Sequence, residues 1–314
     1  MLTRREFINK FYSEIVPILE PLEQKRKRYR IKNIKTVLKC LASGTISMVL
    51  GILLFKYKEA SSDPTLATIA TILCGSGFAL WCFLFESIFS KISKFETEIK
   101  NQIMPTICSY IGDIEWKKRS RGYANGVRES QLIRKYDYQY CDEVFTGSYK
   151  DIPYVIAEVL FTEKGNKGEY PVFRGIIIKI DVNKEFNSHT LIMPTPNWEF
   201  RILKGLERTQ LDNINFEKKY NVFTNNEVEA RYLITPTFME RLNTIKMAFF
   251  ARRIRCAFHN GNLLIALNSR RDVFSIGKLY STILNIKPYL RMYEEIASII
   301  NLIEHLKMYD KSGV

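Results

Sequence analysis

Three histidines, His189, His259 and His305, are the chain's whole supply of imidazole. They lie far apart in sequence, and no spacing among them marks a metal site or a proton relay. Carboxylates offer more. Glu227 and Glu229 share one face if their segment is extended, where two like charges raise a pKa or hold a cation. Arg231 falls on the same face, and Arg174 stands between Phe173 and Gly175 in a second extended segment. Arg174, Glu227, Glu229 and Arg231 are therefore the candidate polar site of the C-terminal half. An ion pair or a solvated face is the simpler use of the same residues. Asp142-Glu143 and Glu294-Glu295 are neighbours on single elements. The chain has no glycine-rich phosphate loop, no GxSxG and no HExxH, and its six cysteines form no CxxC pair. No catalytic residue, cofactor or metal is assigned on these grounds.

A denser constellation lies near the start. Lys25, Arg26, Lys27, Arg28, Arg30, Lys32 and Lys35 fall within eleven residues that contain no acid. Two apolar runs follow, about 37–55 and 66–89, each long enough to cross a hydrocarbon core of roughly 30 Å as a helix. KYKEASSDPT between them has a turn composition. The single charge of the first run, Lys39, lies near its start, and Glu86 lies near the far end of the second. This pattern predicts a transmembrane helical hairpin over 37–90. The basic flank belongs on the cytoplasmic side, and so do both termini. The seven cations are then the candidate contact with anionic lipid headgroups. Ser43, Ser47 and Gly51 recur every four residues, facing Ala70, Cys74 and Gly77 of the second run, so the two helices are expected to pack closely on each other.

The formal net charge of +14 raises the question of nucleic acid. Much of the excess sits in the block before the first apolar run. The rest is spread out, as at Lys117, Lys118, Arg119 and Arg121, so a nucleic-acid partner is disfavoured. Free thiols suit a reducing compartment.

The elements that must position these residues read as follows. Residues 1–36 form a basic helix opened by Thr3 and Glu6 as a capping box, with Phe7, Phe11, Ile15, Ile18 and Leu22 as its apolar stripe. Pro17 and Pro21 should interrupt it. Residues 91–116 form a stalk helix whose stripe of Ile92, Phe95, Ile99 and Ile103 ends around Met104 to Pro105. Residues 117–137, with Gly122 and Gly126, read as a connector. From 138 to 314 the period changes to that of short strands. SYKDIP reads as a hairpin turn, EKGNKGEYP as a longer connection, and Asn260-Gly261 as a hairpin. Thr235-Pro236 starts a helix, and another runs from about Pro288 to Met308. Strands with late helices and no βαβ alternation give an α+β class: a two-helix hairpin with a helical stalk, then a mostly antiparallel sheet with a C-terminal helix.

The second half also carries a resemblance. GSYKDIPYVIAEV, FRGIIIKIDVNKEFNSHTLIMP, FEKKYNVFTNNEVEARYLITPTFMERL and IRCAFHNGNLLIAL are similar to successive blocks of the bacterial family DUF3137, a domain of unknown function, over about residues 110–305. The resemblance implies a pair of spans ahead of the domain and a bacterial inner (cytoplasmic) membrane. It implies no activity, ligand or catalytic residue. The expectation is a membrane-anchored cytoplasmic binding or scaffold module. Its partners would be the bilayer, anionic headgroups, and a membrane protein or a second copy of the chain. The alternative is a membrane-proximal enzyme, or a sensor of lipid or a small molecule, using a pocket in 138–314.

Overall fold

Strand-forming residues dominate the chain from Ile114 onward, and they assemble into one sheet. The computed structural model describes residues 1–61, 64–119, 123–182, 188–195, 203–269 and 271–311. Arg121 and Gly122 of the sequence reading lie outside these, as does the side chain of Ala70. In chain order the elements are α1 (Arg4–Lys10), a π turn (Phe11–Ile15), α2 (Val16–Ser61), α3 (Pro64–Ile111), β1 (Ile114–Lys118), β2 (Tyr138–Tyr149), β3 (Ile152–Gly165) and β4 (Gly168–Asp181). There follow β5 (Thr190–Pro194), β6 (Glu207–Thr209), α4 (Ile214–Glu217), β7 (Tyr220–Thr224), α5 (Glu227–Leu233), α6 (Pro236–Ala248), β8 (Arg253–His259), β9 (Asn262–Asn268) and α7 (Lys287–Lys311). The class is α+β, with a long N-terminal helix, a large antiparallel sheet and a C-terminal helix.

These elements fall into two compact units. One comprises Met1–Asn9, Met104–Ser275 and Lys287–Val314; the other comprises Lys10–Ile103 and Ile276–Ile286.

Among the described residues of the first unit nine strands lie in the order β1-β2-β3-β4-β9-β8-β5-β7-β6, every pair antiparallel. Local chemistry sets the hairpins. Lys150 and Asp151 join β2 to β3 with φ of 50° and 68°, and Asn260 and Gly261 join β8 to β9 with φ of 49° and 70°. Two successive positive φ values match the right-handed twist of the flanking strands. The β3–β4 connection is shorter than the sequence suggested: pairing continues to Gly165 and Gly168, leaving only Asn166 and Lys167 between them. Ile176, Ile177, Ile178 and Ile180 of β4 are all buried, as a central strand covered on both faces requires. One face carries Ala157, Val159, Phe161, Phe173, Ala257 and Leu264, covered by Val127, Leu132 and Tyr136. The stretch read as a connector therefore supplies core, and Tyr136 stacks on Phe161 at 4.3 Å. Phe238 of α6 meets Phe258, whose side chain points from β8 to the opposite side from Ala257.

The chain's start is stitched into this unit. Phe7 stacks on Tyr293 of α7 at 4.3 Å and meets Tyr110 edge-on, while the Tyr293 hydroxyl donates to the Leu2 carbonyl. Thr3 and Glu6 form the expected capping box.

In the second unit α2 and α3 run antiparallel: Tyr29 meets Phe95, Cys40 donates to the Trp81 carbonyl, a Cβ on Gly77 would strike Ser47, and one on Gly51 would strike Cys74. Small residues thus form the closest crossing, at the positions the four-residue spacing selected. Pro17 and Pro21 do not break the N-terminal helix. The Val16 amide bonds back to the Phe11 carbonyl, five residues earlier, and this wider turn lets the chain accept a residue without an amide hydrogen at Pro17. It also keeps Phe11, Ile15 and Leu19 buried at a strict four-residue spacing, whereas Ile18, expected in the stripe, is 37% exposed. α3 carries Pro105 inside it and ends at Ile111, short of the 116 expected for the stalk, because Ile114–Lys118 is strand β1.

Among the described residues one helix, Arg4–Tyr57, has the length and composition to cross a bilayer, with a stretch of mean hydropathy 2.0 that is 11% buried.

Gly175 lies in β4 with φ of 153°, and a Cβ there would run into the Leu267 carbonyl of β9. Gly175→Ala is expected to cost more than about 2 kcal/mol, because both the backbone conformation and the strand spacing must give way. Urea unfolding of the full-length protein in detergent checks this, and an unchanged midpoint would refute the close approach.

Candidate functional site

The basic block does not act as one surface. Arg26 is 4% exposed, with Nε and Nη2 donating to the two oxygens of Glu23 at 2.8 and 2.7 Å and Nη1 donating to the Leu279 carbonyl at 2.7 Å. It is a buried anchor for the segment Ile276–Ile286, and the expectation that it touches headgroups is corrected here. Burial opposes the Glu23 charge, but the Arg26 hydrogen bonds and the Ile283 amide outweigh it and hold this carboxyl below its ordinary range. Lys25 pairs with Glu98 of α3. Lys27, Arg28, Arg30, Lys32 and Lys35 are exposed.

The four polar candidates of the sheet unit also part company. Glu227, Glu229 and Arg231 are not on a strand: α5 begins there, with Asn226 as its cap accepting from the Glu229 amide at 3.2 Å. Asn followed three residues later by Glu is a helix-start signature, and it was the available signal. On the helix Glu227 and Arg231 are one turn apart. Arg231 donates to Glu227 at 2.8 Å and to Asp212 at 3.2 Å, and the Arg231 hydrogen bond lowers the Glu227 pKa. Glu227 borders a cavity of about 520 Å³ with Thr209, Thr224 and Asn225. Arg174 borders a different one of about 900 Å³, with Arg119, Asp142, Glu158 and Asp272. The smaller cavity is mostly polar and the larger is mixed, with Val159 and Leu160 among its lining, and neither gathers the four residues.

Sheet register does what sequence spacing did not. Thr190 pairs with Phe258, so the residues just beyond, His189 and His259, come together with ring centroids 4.3 Å apart. His189 Nε2 lies 2.8 Å from the Ser130 carbonyl, which can only accept, so this nitrogen carries the proton. Burial pushes both imidazoles toward the neutral form, opposed at His189 by the Ser130 bond and at His259 by Glu129. His305 stands apart on α7, its pKa lowered by burial and by Arg241. In the larger cavity burial and Asp142 push the Cys141 thiol up to about 11, so it is not an activated nucleophile at neutral pH. Among the described residues no group of three or more His, Cys, Asp or Glu is arranged to hold a metal ion.

Residues 171–308 match the family profile described as protein of unknown function, DUF3137. This match supports the DUF3137 resemblance for the C-terminal part of the chain. The DUF3137 match opens at Pro171 within β4, later than the resemblance at about 110 suggested, and takes in the Glu227 cluster, Arg174, the histidine pair and the segment Ile276–Ile286, but not Arg119, Asp142 and Glu158. The helices α2 and α3 and strands β1 to β3 lie outside it. A search of curated proteins finds no match. Among solved structures the chain is similar to the crystal structure of the mycobacterial trehalose monomycolate transport factor A, TtfA, with 11% identity and a TM-score of 0.35, over 64% of this chain and 92% of that one.

Two outcomes follow from the geometry. Arg26→Gln leaves the buried Glu23 charge and the Leu279 carbonyl without the guanidinium, a loss of about 3–5 kcal/mol for a buried pair. Trypsin should then cut at exposed Lys278 faster than in the unaltered protein, and equal cutting rates would refute the anchoring role. The histidine pair is most stable neutral. Because burial lowers both folded pKa values below the ordinary 6.5, its stabilisation is complete above about pH 6.5 and is lost as pH falls through the lowered values. Denaturant unfolding at pH 7.5 and 5.5 should show a smaller acid loss in a His189→Asn/His259→Asn variant than in the unaltered chain.

Proposed function

We propose that this protein is a multi-pass protein of the bacterial inner membrane, anchored by a hairpin of two spans at about 37–55 and 66–89, with both termini and the sheet unit in the cytoplasm. Its task is binding at the membrane surface. One observation carries the reading: large apolar side chains stand exposed along both helices. Leu38, Leu41, Ile46, Met48, Val49, Ile52, Leu53 and Phe55 of α2 are 48–67% exposed, as are Ile69, Ile72, Phe78, Phe83 and Phe89 of α3 within 48–69%. Water does not tolerate a sheath of that extent, and hydrocarbon does. The small-residue crossing of the two helices supports a hairpin closed on itself. The excess of Lys and Arg before Val37 and after Phe89, against Lys56 and Lys58 between the spans, supports the orientation.

Confinement to a surface raises the sheet unit's local concentration near membrane partners without any new contact. The neutral histidines and the protonated Cys141 favour a binding role over proton-transfer or thiolate chemistry. Partner identity follows from the location: a membrane protein, or a second copy of the chain.

Carbonate washing of native membranes should leave the protein in the pellet. A membrane-impermeant maleimide should label Lys56→Cys in intact spheroplasts and Lys118→Cys only after lysis. Release by carbonate would sink the anchor, and the reverse labelling pattern would sink the orientation.

A further inference from the structure

A cleft of about 600 Å³ opens between the basic ends of α2 and α3. Lys25, Arg28 and Lys32 line it from α2, Lys91 and Lys94 from α3, and the only carboxylate in its lining, Glu98, is already paired with Lys25. Tyr29 and Phe95, with ring centroids 5.7 Å apart, and Leu279 give it apolar walls. Asn33 stands on the cleft lining and is 3% exposed. Its Nδ2 donates to the Tyr280 hydroxyl at 2.9 Å, while its Oδ1 has no hydrogen-bond partner among the described residues.

Each of these features asks something of a ligand. Four cations not matched by acid within one cleft ask for an anion. An orphaned buried acceptor asks for a hydroxyl or amine donor. Apolar walls ask for a ligand with an apolar part. The place in the chain supplies the rest. Lys32 lies five residues before Val37, where the first apolar run begins, and Lys91 lies two residues after Phe89, where the second ends. If the runs span the bilayer, the cleft sits at headgroup depth.

We propose that this cleft is a binding site for an anionic phospholipid whose phosphodiester headgroup carries a free hydroxyl. Arg28, Lys32, Lys91 and Lys94 receive the phosphate, Asn33 Oδ1 accepts from the hydroxyl, and the diacylglycerol end lies along Tyr29, Phe95 and Leu279. The proposal rests on the membrane reading above and goes beyond diffuse attraction, because it selects cations by their place in the cleft. Lys27, Arg30 and Lys35 are as basic but lie outside it.

The test is native mass spectrometry of the full-length protein in detergent, titrated with phosphatidylglycerol, phosphatidylmethanol or phosphatidylcholine. Phosphatidylglycerol should bind most tightly. The variant Arg28→Gln/Lys91→Gln/Lys94→Gln should bind it about tenfold or more weakly. Lys27→Gln/Arg30→Gln/Lys35→Gln, which removes the same charge, should bind it within about twofold of the unaltered chain. Circular dichroism confirms that both variants keep their helices. Equal losses in the two variants overturn the cleft and leave only diffuse attraction. Binding of phosphatidylmethanol as tight as that of phosphatidylglycerol overturns the hydroxyl contact. Equal affinity for soluble glycerol phosphate assigns the cleft to a free phosphate ester and overturns the lipid. Carbonate extraction, run in parallel, reports failure of the anchor separately from failure of the cleft.

Discussion

A guanidinium taken out of water must find acceptors for its donors, and Arg26 finds one carboxylate and one main-chain carbonyl. Glu23 and Leu279 are therefore fixed relative to each other, and with them the whole segment Ile276–Ile286 against α2. Gly277, at φ of 75°, lets this segment pass close to Ile99 of α3, where a Cβ would meet the isoleucine side chain. Helix pairing, the wall of the cationic cleft and the placing of Tyr280 against Asn33 all rest on that anchor. Because the pair is buried, removing one partner is far more disruptive than replacing both by apolar groups of matching shape.

How much of this could be read beforehand depends on whether the signal was local. Turn and cap chemistry was local and legible: Asn260-Gly261, Lys150-Asp151, Thr235-Pro236 and the Thr3–Glu6 box stand where residue types placed them. Ser47 and Gly51 of the four-residue stripe likewise meet Gly77 and Cys74. Where two local signals compete, cap chemistry prevails over alternation. Glu229-Ala230-Arg231-Tyr232 alternates like a strand, yet Asn226 with Glu229 caps a helix, and satisfying orphan amides outweighs four alternating residues. Long-range information was not legible at all. The meeting of His189 and His259 follows only from β5 lying beside β8, and Ile114–Lys118 becomes a strand only because β2 offers an edge. Arg26 looks in sequence like its basic neighbours; only the carbonyl of Leu279, 253 residues away, sets it apart.

In the sheet unit burial decides the state of the ionisable groups. It drives His189 and His259 toward neutrality, lifts Cys256 well above a thiol's ordinary value, and pushes Glu295 up to about 8 in spite of Arg271 and Arg291. An interior that discharges its titratable groups is organised for packing. Charges at the surface, such as Arg231 with Glu227 and Asp212, stay ionised and are lightly held. Polar recognition by this unit therefore belongs to its surface and to the cavities beside Glu227 and Arg174.

The interleaving of the two units along the chain fixes an order of events in time. Met1–Asn9 leaves the ribosome well before its partners Tyr293 and Glu294. The segment that covers Arg26 arrives about 180 residues after the helices it rests on, a delay of roughly 10–40 s at ordinary rates of synthesis. For that interval the helix pair exists without its third wall and Arg26 without the Leu279 carbonyl. The nascent protein is thus a different object from the finished one, and translation speed between Ile103 and Ile286 sets how long it stays so.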